Sequence, residues 1–144
     1  MALKKPLVLG SDGSIEQLQS GDTLDIPASG GGGDTIPLTV NETVGNGSVV
    51  CATASGIVNA DKDDDSKTSV IGIATASGSP GNQIDVRVAA QMGGLSGLTA
   101  GNPVFLGNTG QLTQTLPTFG TVIRVGTAIS ATDMIVDISQ PIKL

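Results

Sequence analysis

Ile84-Asp85-Val86-Arg87-Val88 alternates strictly between apolar and polar residues, the cleanest alternation in the chain. A period of two puts Ile84, Val86 and Val88 on one side of an extended backbone and Asp85 and Arg87 on the other, the mark of a half-buried β-strand. Strand-like runs continue on both sides of it. Leu38-Thr39-Val40, Ser48–Ala52 and Ile57-Val58 precede it, and Pro103–Leu106, Gln111–Thr115, Thr121–Ile129 and Met134–Ile138 follow. Val44-Gly45-Asn46-Gly47, Ala54-Ser55-Gly56 and Gly107-Asn108-Thr109-Gly110 read as turns between them, and Gln91–Gly101 reads as a Gly-rich loop. Short strands closely punctuated by turns predict an all-β domain, a small β-sandwich or barrel.

A second regularity sits on top of the first. Gly47, Gly56 and Gly72 recur as Gly101, Gly110 and Gly126, a constant offset of 54 residues (101 − 47). Val50 maps onto Val104 and Ala74 onto Ala128 at the same spacing, and the apolar Val58 and Ile71 onto Leu112 and Val125. Each Gly marks a backbone position where a side chain would clash or where φ is positive, so recurring glycines imply recurring geometry. The expectation is an internal two-fold repeat within one domain, because two copies are too few for a solenoid of ~3 or more units.

Composition agrees with strands. Leu, Ile, Val and Phe make up roughly 27% of the chain, above the ~20% below which disorder is expected. The core must be aliphatic, since the chain has two Phe and no Trp or Tyr. β-Branched residues abound, while the Lys, Arg and Glu that favour helices are scarce. Net charge is −6, with seven basic residues, which argues against nucleic acid as a partner because phosphate neutralisation needs Lys and Arg. The basic pair Lys4-Lys5 precedes too short an apolar run for a signal sequence, and no stretch reaches the ~18 apolar residues of a membrane span. The expectation is a soluble protein made in the cytoplasm, with no membrane partner. Cys51 is the single cysteine, so it forms no intrachain disulfide, and its run Val49-Val50-Cys51-Ala52 predicts a buried, inert thiol.

Ahead of the domain, Pro6–Leu9 and Ile15–Leu18 are strand-like runs around Gly10-Ser11-Asp12-Gly13, and Leu24-Asp25-Ile26 alternates up to Pro27. Ala28–Thr35, with its four consecutive glycines, reads as a flexible linker. Residues 1–35 therefore form an extended N-terminal arm, too small to bury itself, and residues 36–144 the β domain. The apolar arm residues Leu3, Pro6, Leu7, Leu9, Ile15, Leu18, Leu24 and Ile26 are the candidates for contact with another protein chain.

Catalytic chemistry finds little footing. Without His there is no Ser-His or Cys-His pair, and one Cys with carboxylates is a poor zinc set. Gly30–Gly33 lacks the Gly-Lys-Ser/Thr ending of a phosphate loop. Asp61, Asp63 and Asp65 occupy the first, third and fifth places of a calcium loop, but Ser66 stands where that loop wants Gly and Gly72 where it wants Glu. A solvated acidic loop is the expected reading, with no metal, no cofactor and no enzyme activity.

Three segments carry a resemblance: Gly93-Gly94-Leu95-Ser96-Gly97-Leu98-Thr99-Ala100-Gly101-Asn102-Pro103-Val104-Phe105-Leu106, then Gly110-Gln111-Leu112-Thr113, then Val125–Ile138 with its Gly126-Thr127-Ala128-Ile129-Ser130-Ala131-Thr132. Together they are similar to a small β module of bacteriophage head-decoration (cement) and head-fibre proteins and of some tail fibres, with Phe105 at a position usually held by Tyr. Val8–Leu18 likewise resembles N-terminal segments of phage fibre-like proteins. The resemblance implies a virion structural protein made in the host cytoplasm. It would be a homotrimer on the outer capsid surface that binds the major capsid protein and stabilises its contacts. The alternative it implies is a head-fibre or tail-fibre module that binds the host surface.

Overall fold

The computed structural model describes residues 7–9, 15–17 and 34–144. The chain divides into two compact units, Met1–Gly31 and Gly32–Leu144. In the first, β1 (Leu7–Leu9) and β2 (Ile15–Gln17) pair antiparallel with Leu9 opposite Ile15. These are the two runs predicted around Gly10–Gly13.

The second unit is all-β. Its first sheet contains β3 (Thr35–Thr39), β4 (Val49–Thr53), β5 (Gly56–Asn59), β6 (Val70–Ala74) and β7 (Gln83–Arg87), in the order β3-β7-β6-β4-β5. Its second contains β8 (Ala90–Met92), β9 (Pro103–Leu106) and β10 (Leu112–Thr113). After a detour through β11 (Thr121–Val122) come β12 (Arg124–Ala128) and β13 (Met134–Val136). The order is β10-β9-β12-β13-β8, and β11 pairs instead with β14 (Ile142–Lys143). Every strand pairing is antiparallel, and the helical content described is one 3₁₀ turn, Asp65–Lys67.

The two sheets share part of their register. Val49↔Ile73, Val50↔Gly72 and Cys51↔Val70 join β4 to β6, with an irregularity after Val50. Pro103↔Thr127, Val104↔Gly126 and Phe105↔Arg124 join β9 to β12, each residue at the constant 54-residue offset. At both glycines a backbone carbonyl fills the space of a side chain: Arg87 O at Gly72 and Ile135 O at Gly126. The correspondence ends at the hairpins, where Cys51 pairs with Val58 but Phe105 pairs with Thr113.

The first sheet closes on itself. Beyond β3, Val40 bridges in parallel to Ile57, and Asn41 N donates to Ile57 O at 2.8 Å. The barrel so formed is filled by Val40, Val44, Val50, Ile57, Ala74, Ile84 and Val86. As the alternation predicted, Ile84 and Val86 are buried and Asp85 is exposed, while Arg87 and Val88, expected in water and inward respectively, are both half-buried. The other face of that sheet, with Val49, Cys51 and Ile73, packs in one core with Val104, Leu106, Val125, Met134 and Val136 of the second. Among the described residues the second sheet has no such bridge between its end strands, β10 and β8; a side chain instead ties the chain beyond β10 to the loop after β8. Gln114 accepts from Thr99 N at 2.7 Å and donates to Thr99 O at 2.9 Å.

Four points of the sequence reading need correction. Ala90–Met92 is a strand and not the start of the Gly-rich loop, because Met92 buries itself opposite Met134. Thr121–Ile129 is two strands, broken at Ile123, where Arg124 N turns to Ser139 Oγ at 2.9 Å. The final strand β14 has no counterpart in the sequence pattern. β3 begins at Thr35, and Asp34 O already accepts from Val88 N at 2.7 Å.

Candidate interaction surface

The acidic run Asp61–Asp65 leaves β5 and meets the turn after β9. Asp61 Oδ1 accepts from Asp63 N (2.9 Å) and from Asn108 Nδ2 (3.1 Å), and its Oδ2 accepts from Thr109 N (3.3 Å). Asn108 Nδ2 also donates to Asp63 Oδ2 at 2.6 Å. Two carboxylates thus share one amide, and the hairpin turn is clamped to the acidic run. Lys62 sits between them with only 8% of its surface exposed. Its Nζ is 2.8 Å from Asp63 Oδ1 and 3.8 Å from the centroid of the Phe119 ring, so the ammonium trades water for a carboxylate and a π face. Hydrogen bonds from Lys62 and then Asn108 hold the Asp63 carboxyl below the usual aspartate range. Asp64, bonded by the hydroxyl and amide of Ser66, is lowered too. The run expected as a solvated loop is exposed at Asp63 and Asp65, yet it serves as a fastening.

From this fastening hang the residues after β10. Thr121 N donates to Lys62 O at 2.8 Å, and Leu144 N to Gly120 O at 2.9 Å. Gly120 has a positive φ of 79° and no space for a Cβ beside Lys62 O and Asp63 Oδ1, so only glycine fits this crossing. Lys143 pairs with Asp65. The loop and β14 are therefore held firmly, yet they leave large apolar side chains in water: Leu116 (59% exposed), Phe119 (63%), Ile142 (61%) and Leu144 (60%). Beside Leu116 and Phe119 a groove of about 340 Å³ runs among Lys62, Asn108, Leu112 and Pro117. A wider groove of about 580 Å³ is lined by hydroxyls, amides and glycines, among them Ser48, Ser96, Gly97, Gln111 and Gln114.

Of the arm candidates, Leu3, Pro6, Leu18, Leu24 and Ile26 lie outside the described residues. Leu7, Leu9 and Ile15 lie within β1 and β2, where only the backbone pairing is described. Leu116, Phe119, Ile142 and Leu144 are not foreseen from the sequence pattern. One signal points to them: Phe119, one of two aromatics, stands in a Pro- and Gly-flanked stretch that fits no strand period. Cys51 is fully buried, its Sγ 4.0 Å from Asn59 O, and burial pushes its thiol above the ordinary value. Among the described residues no group of three or more His, Cys, Asp or Glu is arranged to hold a metal ion, and no helix is long and apolar enough to cross a membrane. Comparison with protein-family models, curated proteins and solved structures finds no match.

Proposed function

We propose that this chain is a structural protein of a bacteriophage virion, a decoration (cement) protein that binds the major capsid protein on the outer face of the head as a homotrimer. The observation that carries the reading is the apolar surface of Leu116, Phe119, Ile142 and Leu144 on backbone fixed by the Lys62 fastening. Large apolar side chains held in water on rigid backbone are characteristic of protein contact surfaces. The sequence resemblance supplies the kind of partner, and the arm, residues 1–35, supplies a second attachment. Several modest contacts on three linked copies add through effective concentration.

Copy number in purified virions tests this directly. Hundreds of copies per particle support head decoration. Tens or fewer favour the fibre reading, for which the hydroxyl- and amide-lined groove around Ser96 and Gln111 offers a surface for host glycans. Phe119→Asp is expected to weaken binding to undecorated heads by at least about tenfold while the domain stays folded. Unchanged occupancy would move attachment off this surface.

A further inference from the structure

Lys62 and Asn108 come from opposite sheets: Lys62 follows β5 of the first, and Asn108 stands in the turn between β9 and β10 of the second. Backbone sets them side by side, since Lys62 N donates to Gly107 O at 3.2 Å. One carboxylate then holds both side chains. Asp63 Oδ1 accepts from Lys62 Nζ at 2.8 Å, and Asp63 Oδ2 accepts from Asn108 Nδ2 at 2.6 Å. The Asn108 amide also donates to Asp61 Oδ1 at 3.1 Å, which stops it from turning. Lys62 is buried, the Phe119 ring covers its amine, and Lys62 and Asn108 line the same groove. An ion pair needs only the contact between Lys62 and Asp63. Here a primary amine, a carboxamide and a proton carrier are gathered at one point.

We propose that Lys62 and Asn108 join in an intramolecular isopeptide bond, with Asp63 moving the proton. The Lys62 ammonium passes a proton to Asp63, whose carboxyl these same hydrogen bonds keep ionised and able to receive it. The freed Nζ lone pair attacks Cγ of Asn108, and the carbonyl π pair moves onto Oδ1. Asp63 hands the proton to Nδ2, and the Cγ–Nδ2 bond breaks as the carbonyl re-forms. Of the three ammonium hydrogens, one stays on the new amide and two depart with Nδ2 as an ammonium ion. Atoms and charge balance without an oxidant or a metal. Amides react slowly with amines in water, so positioning must supply the rate. Well-oriented groups reach effective molarities of about 10⁵–10⁸ M, and one turnover per molecule suffices. A covalent tie between sheets that needs no thiol partner suits a chain whose single cysteine is buried.

Intact-mass measurement on the purified, denatured full chain tests the bond. Wild type is expected to weigh one ammonia less than its sequence requires, and a protease digest to yield a branched peptide joining Lys62 to Asn108. Lys62→Arg, Asn108→Ala and Asp63→Asn are each expected at full mass. A wild type at full mass overturns the proposal and leaves an ion pair only. Ammonia loss that maps to a succinimide at Asn46-Gly47, with no branched peptide, overturns it as well. Asp63→Asn that links as completely as wild type overturns the role given to Asp63 and leaves the bond standing. The wild-type spectrum and digest decide the bond by themselves, so a variant that fails to fold does not shield it.

Discussion

At Gly126 a methyl group would run into the carbonyl of Ile135 and the Met134 side chain, both fixed by strand pairing. Neither can retreat without opening β12 from β13. Gly126→Ala is therefore expected to cost about 3 kcal/mol, the upper end for overpacking, and Gly72→Ala a similar amount against Arg87 O. Gly81 offers the contrast: its φ is +90°, but nothing lies within 4 Å of where a Cβ would stand, so Gly81→Ala should cost only the left-handed strain, about 1–2 kcal/mol. Chemical denaturation of the three variants checks the order, and equal losses would refute the steric account. Asp63 and Asp64 give a second residue-scale outcome. Their folded-state acidity is stronger than in the unfolded chain, so their stabilisation is complete above the ordinary aspartate value of about 3.9 and is lost as pH falls through the lowered range. Melting temperature should hardly respond to these groups near neutrality and should drop below about pH 4. Asp63→Asn should lower the neutral melting temperature, because Lys62 then keeps its burial without its carboxylate, and should flatten the acid limb.

Among the elements, the two seams are built differently and should open differently. The first sheet is closed by backbone, Asn41 N to Ile57 O; in the second the Gln114 amide ties the chain beyond β10 to Thr99 in the loop after β8. Gln114→Ala removes both bonds to Thr99 and is expected to cost about 1–2 kcal/mol, at roughly 0.5–1.5 per net hydrogen bond. Amide exchange at Thr99 should accelerate while that at Asn41 stays as it was; acceleration at both would mean the seams are coupled. This level also shows what the sequence made legible. Ile84–Val88 carries its period in local order, Val49–Ala52 and Pro103–Leu106 are unbroken apolar runs between turn signals, and all three hold strands. β8 and β14 carry two or three residues each, too few for a period, and exist because Met134 and Thr121 offer them pairing. The fastening was equally hidden. Asn108 binds carboxylates more than forty positions away in the chain, and a Lys inside an acidic run reads as solvated until Phe119 is brought across it.

For the whole molecule, the division near the glycine run predicts an independent domain. Residues 34–144 contain both five-stranded sheets and both clusters of buried side chains, so deleting residues 1–30 should leave a soluble protein with a cooperative melt. If the chain is the decoration protein proposed above, the same truncation should bind undecorated heads far more weakly; full occupancy would assign attachment to the domain alone, and aggregation would make the arm part of the core. The closed first sheet has one more effect, on traffic between molecules. A sheet without a first or last strand offers no bare row of amides and carbonyls for a stranger to zip onto. The second sheet keeps two end strands, β10 and β8, and the Gln114 bonds fall on Thr99 outside both. An extended segment from a neighbouring copy thus finds no template on the first sheet, and the end strands β8 and β10 of the second are where one could add.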